Sequence, residues 1–292
     1  MNLEKKICYL IGNPVEHSLS PVMHQKIYRK MGLNDWVYKL KKIDQESEIE
    51  RFVLETKNNN YVGFNVTVPY KQKVMKYIDK VEKEADRIGA VNTVVNKDSF
   101  LHGYNTDWIG FLEDLKVSID YRPMEEEKIL VIGGGGAGRA VIQGLGAEIK
   151  KDGIIYLYDL NTEKVEKIIS DFKGYINIRK IKKEDIYPVL ADVDLLVNAT
   201  PVGMKQGDKP VLNLDHIRKG INFKTDLKVY DVVYNRETEL IKQAKKHNLT
   251  ASGGIGMLVR QGVESFKLWS GIENIDNSMV EEIKIYLNKE VR

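Results

Sequence analysis

The sequence predicts an α/β protein of two domains, the second a doubly wound parallel sheet. Three observations carry this. The chain has 292 residues, more than one hydrophobic core usually holds. Short apolar runs rich in β-branched residues alternate with helical patterns, the spacing of strands joined by right-handed crossovers. The alternation breaks at the mixed polar stretch Val117–Glu127, a plausible linker containing Pro123, and restarts more regularly at Lys128.

The elements follow in order. Ile7–Ile11 is a strand that runs into the turn Gly12-Asn13-Pro14. A helix begins at Ser20-Pro21, with Ser20 as N-cap and Pro at the first helical position, and ends near Gly32. Trp36–Leu40 is a short strand, Glu46–Lys57 a helix, and Tyr61–Val68 a strand stopped by Pro69. Val91–Val95 and Phe100–Tyr104 form a hairpin around Lys97-Asp98, and Thr106–Lys116 is helical. In the second half, Lys128–Ile132, Ile154–Tyr158, Leu195–Asn198, Val229–Val233 and Thr250–Ser252 are strands. Ala137–Lys150, Glu163–Phe172 and Glu237–His247 are the helices between them. Met257–Trp269 and Ser278–Leu287 are helical, lie beyond the second sheet and are placed to return to the first domain.

Composition excludes several classes of function. The net charge is only +3, and lysines are interleaved with glutamates, as in Glu163-Lys164-Val165-Glu166-Lys167. That is a solvated helix face and not the clustered basic surface nucleic acid requires. The single cysteine, Cys8, lies in an apolar run and reads as core, so no intrachain disulfide is possible. The five histidines show no ligand spacing, and no metal is expected. No apolar run reaches a membrane span or a signal peptide, which makes the cytoplasm the expected location.

The strand Lys128–Ile132 leads directly into Gly133-Gly134-Gly135-Gly136-Ala137-Gly138. Gly133, Gly135 and Gly138 fit G-x-G-x-x-G between a strand and a helix, the context a dinucleotide site needs. The first glycine permits the tight turn, the second lets backbone approach a pyrophosphate, and the third lets helix and strand pack closely. Free N–H groups at the helix start, from Gly136 and Ala137 onward, suit an anion. Asp159 closes the next strand and is placed to accept from both adenosine ribose hydroxyls while repelling a 2′-phosphate. Leu160 follows it, which favours NAD over NADP; the competing role for Asp159 is a helix N-cap, which Thr162 could also fill.

Four segments of the first domain carry more polar chemistry than loops need: His17-Ser18-Leu19-Ser20-Pro21, Asn65-Val66-Thr67-Val68-Pro69-Tyr70-Lys71, Gly89-Ala90-Val91-Asn92-Thr93 and Gly103-Tyr104-Asn105-Thr106-Asp107. Two hydroxyls near a helix N-terminus, Ser18 and Ser20, suit a carboxylate. Locally, Asp107 reads equally as a cap for the next helix or, with Thr106 capping, as a side chain left for chemistry.

With Asn198-Ala199-Thr200-Pro201-Val202-Gly203-Met204, Asp231-Val232-Val233-Tyr234-Asn235 and Gly253-Gly254-Ile255-Gly256-Met257, these segments run in order along nearly the whole chain. The set resembles the shikimate dehydrogenase family, including its quinate/shikimate branch. The resemblance implies a substrate-binding catalytic domain of residues 1–109 plus 257–292 and a Rossmann domain of residues 110–256. It implies reversible oxidation of shikimate to 3-dehydroshikimate with NAD or NADP, by a monomer or homodimer that takes a small molecule and neither nucleic acid nor membrane. By motif position, Ser18 and Ser20 would hold the substrate carboxylate, with Tyr234 nearby. Thr67, Asn92 and Gln261 would bind ring hydroxyls, and Lys71 and Asp107 would meet the hydroxyl that is oxidised. Gly133, Gly135, Gly136, Ala137, Gly138, Asp159 and Thr200 would hold the cofactor, with Asn198, Ala199 and Pro201 lining its groove. Gly254 and Met257 would lie on the nicotinamide side, although Met257 reads equally as a core residue.

Those residue types fit the chemistry, since alcohol oxidation removes a hydride and a proton and the proton needs a base. Which of Lys71 and Asp107 is that base stays open. NADP-using members carry Asn-Arg-Thr where this chain has Asp159-Leu160-Asn161, which looks more like the NAD-using branch; Lys164 lies one turn on, within possible reach of a phosphate. Ser20, where quinate-preferring members tend to carry Thr, points to shikimate. The competing classes are a metabolite-sensing protein on the same scaffold, whose mark would be loss of the Lys71–Asp107 pair, and a dehydrogenase of a larger aromatic substrate such as a folate.

Overall fold

A computed structural model of the chain describes residues 5–122, 126–149, 152–216 and 223–290. They divide into two compact units, residues 5–106 with 259–290, and 107–258.

The first unit is built on a six-stranded sheet. Its strands are β1 (Lys6–Gly12), β2 (Trp36–Lys42), β3 (Gly63–Val66), β4 (Lys80–Val81), β5 (Thr93–Lys97) and β6 (Phe100–Tyr104). The order across the sheet is β2-β1-β3-β5-β6-β4. β1 runs parallel to β2 and β3, because α1 (Ser20–Lys30) and α2 (Ser47–Asn58) carry the chain back over the sheet between them. β5 pairs antiparallel with β6 in the predicted hairpin and also antiparallel with β3, where the helix–strand alternation predicts parallel pairing. Only Asp98 and Ser99 separate β5 from β6, both with left-handed φ (53° and 62°), and so short a turn makes a hairpin but no crossover. The two-residue β4, not anticipated from the sequence, completes one edge ahead of α3 (Lys83–Ile88).

The second unit opens with α4 (Asp107–Ser118) and continues through β7 (Lys128–Ile132), α5 (Gly136–Glu148), β8 (Ile154–Tyr158) and α6 (Thr162–Asp171). It goes on through β9 (Asn177–Lys180), α7 (Ile186–Leu190), β10 (Leu195–Asn198), β11 (Lys228–Asp231), α8 (Glu239–Lys246) and β12 (Thr250–Gly253). All neighbours are parallel in the order β12-β11-β10-β7-β8-β9, so the sheet is doubly wound and its order reverses between β7 and β10. Successive residues of β7 feed opposite faces: Ile129 and Val131 join one core cluster, Leu130 and Ile132 the other. A sheet covered on both sides needs such an unbroken apolar run.

The predicted linker is not a solvated tether where it is described. Ile119 and Tyr121 are buried in the core of the second unit, and the Tyr121 hydroxyl donates to Glu127 Oε2 at 2.7 Å. Pro123 lies outside the described residues, as does Lys150, the predicted end of α5. α9 (Ile255–Ser270) and α10 (Asn277–Glu290) close the chain, and residues 259–290 belong to the first unit. No helix among the described residues is long and apolar enough to cross a membrane.

Candidate active site

In the first unit the serine pair is organised by backbone geometry. The N-cap of α1 is Leu19, not Ser20, and its end carries no side-chain cap. Ser18 Oγ instead accepts from the Ser20 amide at 3.2 Å and donates to Ser20 Oγ at 3.1 Å. With the helix already begun at Ser20, that residue's side chain does not take the predicted capping role. Both hydroxyls thus lie at the start of a helix whose positive end favours an anion.

Thr67 follows β3 and is held by its amide on Ile11 O (2.9 Å) and its carbonyl under Tyr70 N (3.0 Å). Gly12 makes room for it, since a Cβ there would lie 2.3 Å from Thr67 Cγ2. Lys71 is half-buried, and its carbonyl accepts from Val91 N at 2.8 Å, which ties the lysine loop to the segment carrying Asn92. Asn92 is 2% exposed. Its Oδ1 accepts from Thr106 N at 2.7 Å, and its Nδ2 donates to Thr106 Oγ1 at 2.9 Å and Gln261 Oε1 at 3.3 Å. Ser18, Ser20, Thr67, Lys71, Asn92 and Gln261 all belong to this unit.

In the second unit, Asp107 is the first residue of α4 and is 8% exposed. The glycine loop joins β7 to α5 at the point where strand order reverses, the usual place for a ligand crevice in an open parallel sheet. The loop's five glycines are not equivalent. Gly133 has φ 110°, and a Cβ there would lie 2.8 Å from Ala199 C. A Cβ on Gly138 would lie 1.9 Å from Gly133 O. The fold itself therefore demands these two. Around Gly135 and Gly136 a Cβ would meet nothing within 4 Å, so the open space over the start of α5 is bounded by no protein atom. A pyrophosphate on uncapped N–H groups fits that space.

Asp159 does not cap α6. Asn161 does, accepting from Lys164 N, while Thr162 is already helical. The Asp159 carboxylate instead accepts from Gly134 N and from Asn161 N, each at 2.7 Å, and so braces the glycine loop. Beside it, Leu160 is 90% exposed.

Some groove-lining predictions need correction. Asn198 is 0% exposed, so it cannot line a groove; its Oδ1 accepts from the Thr200 amide (3.0 Å) and hydroxyl (2.7 Å) and holds the loop after β10. Ala199 is buried against the glycine turn, which leaves Thr200 and Pro201 as the accessible pair. Met257 is buried in the core cluster, the second of its two predicted roles. Gly254 is a packing glycine, as a Cβ would lie 2.2 Å from Val232 O. Tyr234 is half-buried, and burial raises its phenol pKa. Among the described residues no His, Cys, Asp and Glu group is arranged to hold a metal ion.

Sequence reasoning missed the buried carboxylate behind Asn198. Asp231 is 0% exposed; its Oδ1 accepts from Asn198 Nδ2 (2.9 Å) and Val233 N (3.0 Å), its Oδ2 from Thr238 Oγ1 (2.7 Å). Burial outweighs these bonds and pushes its pKa up to about 6. A raised carboxylate pKa makes the folded state the stronger proton binder. Its contribution to stability is full below the ordinary value of 3.8, falls as pH rises to about 6, and is constant above. Asp231→Asn keeps the same acceptor at Oδ1, and its amide can donate to the Thr238 hydroxyl. Urea unfolding of wild type should therefore lose on the order of 3 kcal/mol relative to this variant between pH 4 and pH 7. Parallel curves would mean that Asp231 titrates normally.

Two family models match the chain: a shikimate dehydrogenase substrate-binding domain over residues 10–94, and a shikimate 5′-dehydrogenase C-terminal domain over residues 254–274. A relative from Methanocaldococcus jannaschii, named shikimate dehydrogenase (NADP(+)), is 38% identical, with 97% of this chain and 99% of that one covered. The crystal structure of shikimate dehydrogenase from Aquifex aeolicus superposes with a TM-score of 0.85 at 37% identity, covering 97% and 98% of the two chains. A Listeria monocytogenes shikimate 5-dehydrogenase, solved in complex with shikimate and NAD, gives 0.84 at 31% identity over 97% and 96%.

Proposed function

Because the chain belongs to the shikimate dehydrogenase family, we propose that it catalyses the reversible oxidation of shikimate to 3-dehydroshikimate with a nicotinamide dinucleotide, in aromatic amino-acid biosynthesis. The observation that carries the substrate is the serine pair. Ser18 and Ser20 offer two linked hydroxyls at the positive end of α1, a geometry suited to a small carboxylate, with Tyr234 as a further contact. Thr67, Asn92 and Gln261 supply mixed donors and acceptors for ring hydroxyls.

The nicotinamide, when bound, takes the hydride. The chain's own residues handle the proton and the charge. Lys71 and Asp107 act at the hydroxyl being oxidised: one accepts its proton, and the lysine ammonium stabilises alkoxide character. Gly133, Gly135, Gly136, Ala137 and Gly138 would hold the pyrophosphate, and Thr200 would border the cofactor. Assay of shikimate oxidation at 340 nm tests the reading, and no turnover of shikimate or quinate with either dinucleotide would refute it.

For the cofactor, NAD is the reading that Asp159 favours. The carboxylate is fixed by two backbone donors at the end of β8, where it can accept from ribose hydroxyls and repel a 2′-phosphate. The exposed Leu160 beside it offers such a phosphate no partner. The NADP(+) named for the Methanocaldococcus relative favours the second reading, in which Lys164 meets the phosphate. Comparing kcat/KM for the two dinucleotides decides between them. Asp159→Ala should shift that ratio toward NADP by about tenfold, one charge–phosphate repulsion near the surface. An unchanged ratio would leave Asp159 as a brace for the glycine loop only.

A further inference from the structure

Beneath Asn92 and Gln261 lies a buried polar cluster that includes one side chain of α9, Ser265. Ser265 is 0% exposed. Its hydroxyl lies 2.8 Å from Thr93 Oγ1 and 3.2 Å from Thr106 Oγ1, receives Asn65 Nδ2 at 3.0 Å, and donates to Gln261 O at 3.0 Å.

The directions of these bonds can be worked out. Thr106 N is a backbone donor and cannot reverse, so the Asn92 atom it meets is the acceptor Oδ1. Asn92 Nδ2 therefore faces Thr106 Oγ1 and Gln261 Oε1. Thr93 Oγ1 and Ser265 Oγ lie 2.8 Å apart, where either can be the donor, and both accept from Asn65 Nδ2 at 3.0 Å. Ser265 has a single hydrogen, and the carbonyl of Gln261 can only accept. With that hydrogen committed, Ser265 stands as an acceptor for Asn65 and Thr106. The bond to Gln261 O is also an i to i−4 link along α9, which ties the cluster to the helix that carries Gln261.

We propose that Ser265 is a positioning residue for substrate binding: its hydroxyl holds the Thr106 side chain and the turn of α9 that carries Gln261, so that Asn92, oriented by Thr106 N, and Gln261 keep the arrangement in which they meet the ring hydroxyls. The inference rests on the substrate reading above. The cluster extends further along the sheet, since Asn65 Oδ1 accepts from the Tyr38 hydroxyl at 2.8 Å. Such networks are sensitive to the loss of one member, because the remaining buried donors lose their acceptor.

The test is Ser265→Ala, with Ser265→Thr as the variant that restores the hydroxyl. Shikimate KM should rise about tenfold in the alanine variant, the scale of one buried hydrogen bond left unmade. The dinucleotide KM should stay within about twofold of wild type, and the threonine variant should recover most of the shikimate KM. Unchanged shikimate KM in a folded alanine variant overturns the proposal, as does a parallel loss for shikimate and dinucleotide or a threonine variant that folds without recovery. Should the alanine variant fail to fold by circular dichroism, Thr93→Val, which breaks the same cluster, is held to the same result. Wild-type turnover of shikimate reports separately on the substrate reading, and if the wild type neither turns over nor binds shikimate calorimetrically, that reading fails first.

Discussion

Lys71→Ala should lower kcat for shikimate oxidation by on the order of 10³-fold while leaving the dinucleotide KM nearly unchanged. The size follows from two services lost together. General-base assistance is typically worth about 10²- to 10⁴-fold, and a fixed positive charge beside a developing alkoxide contributes at a similar scale. The two overlap on one side chain, so they do not multiply. Asp107→Ala should produce a loss of similar order, and the double variant should be little worse than either single one, as expected of residues that act as a unit. The alternative roles make different predictions. A half-buried lysine without a catalytic part would change kcat less than twofold, and an aspartate serving only α4 would cost stability, not turnover. Steady-state kinetics of the three variants with shikimate varied at saturating dinucleotide decide this. Unchanged kcat in both single variants would remove the pair from the mechanism.

Gly138→Ala should be among the most damaging single methyls in the second unit. Its Cβ would lie 1.9 Å from Gly133 O, a backbone atom that cannot step aside without moving the turn after β7 or the start of α5. Overpacking of that kind costs about 3 kcal/mol or more. Gly135→Ala is the control. Its Cβ meets nothing within 4 Å, and its φ of −75° suits any residue, so the loss is the small one of replacing glycine at an N-cap, below about 1 kcal/mol. If the open space over Gly135 holds a pyrophosphate, the added methyl should still weaken dinucleotide binding by at least about tenfold. Thermal melts and dinucleotide titrations of the two variants separate the roles: Gly138→Ala loses both stability and binding, Gly135→Ala binding alone. A Gly135→Ala protein that binds NAD and NADP like wild type would argue against a dinucleotide at this loop.

Both glycines were marked by one sequence motif, and the motif could not rank them. The limits of nearest-neighbour chemistry appear elsewhere in the same way. Ser20 looked like a helix cap because Ser-Pro is a common start, yet the Ser18 hydroxyl takes its amide. Asn198 looked like a groove residue because it ends a strand, yet Asp231 draws its side chain inward at 2.9 Å. The strands of the first unit other than β4 were legible as strands, and their hairpin turn was visible at Lys97-Asp98. That β5 also pairs antiparallel with β3 depends on a partner far along the chain.

By itself the sequence determined the alternation of elements, the unbroken apolar strands of the second sheet, the strand–glycine–helix junction and the polar segments that close the first unit's strands. These are written in periodicity and in backbone demands that act over a few residues. Only the tertiary structure decided which polar side chains are consumed in holding the site and which remain for a ligand. Asn65 and Ser265 are 200 residues apart in the chain and 3.0 Å apart in the fold. A buried donor must find its acceptor wherever the fold brings one, and that pairing has no local signature.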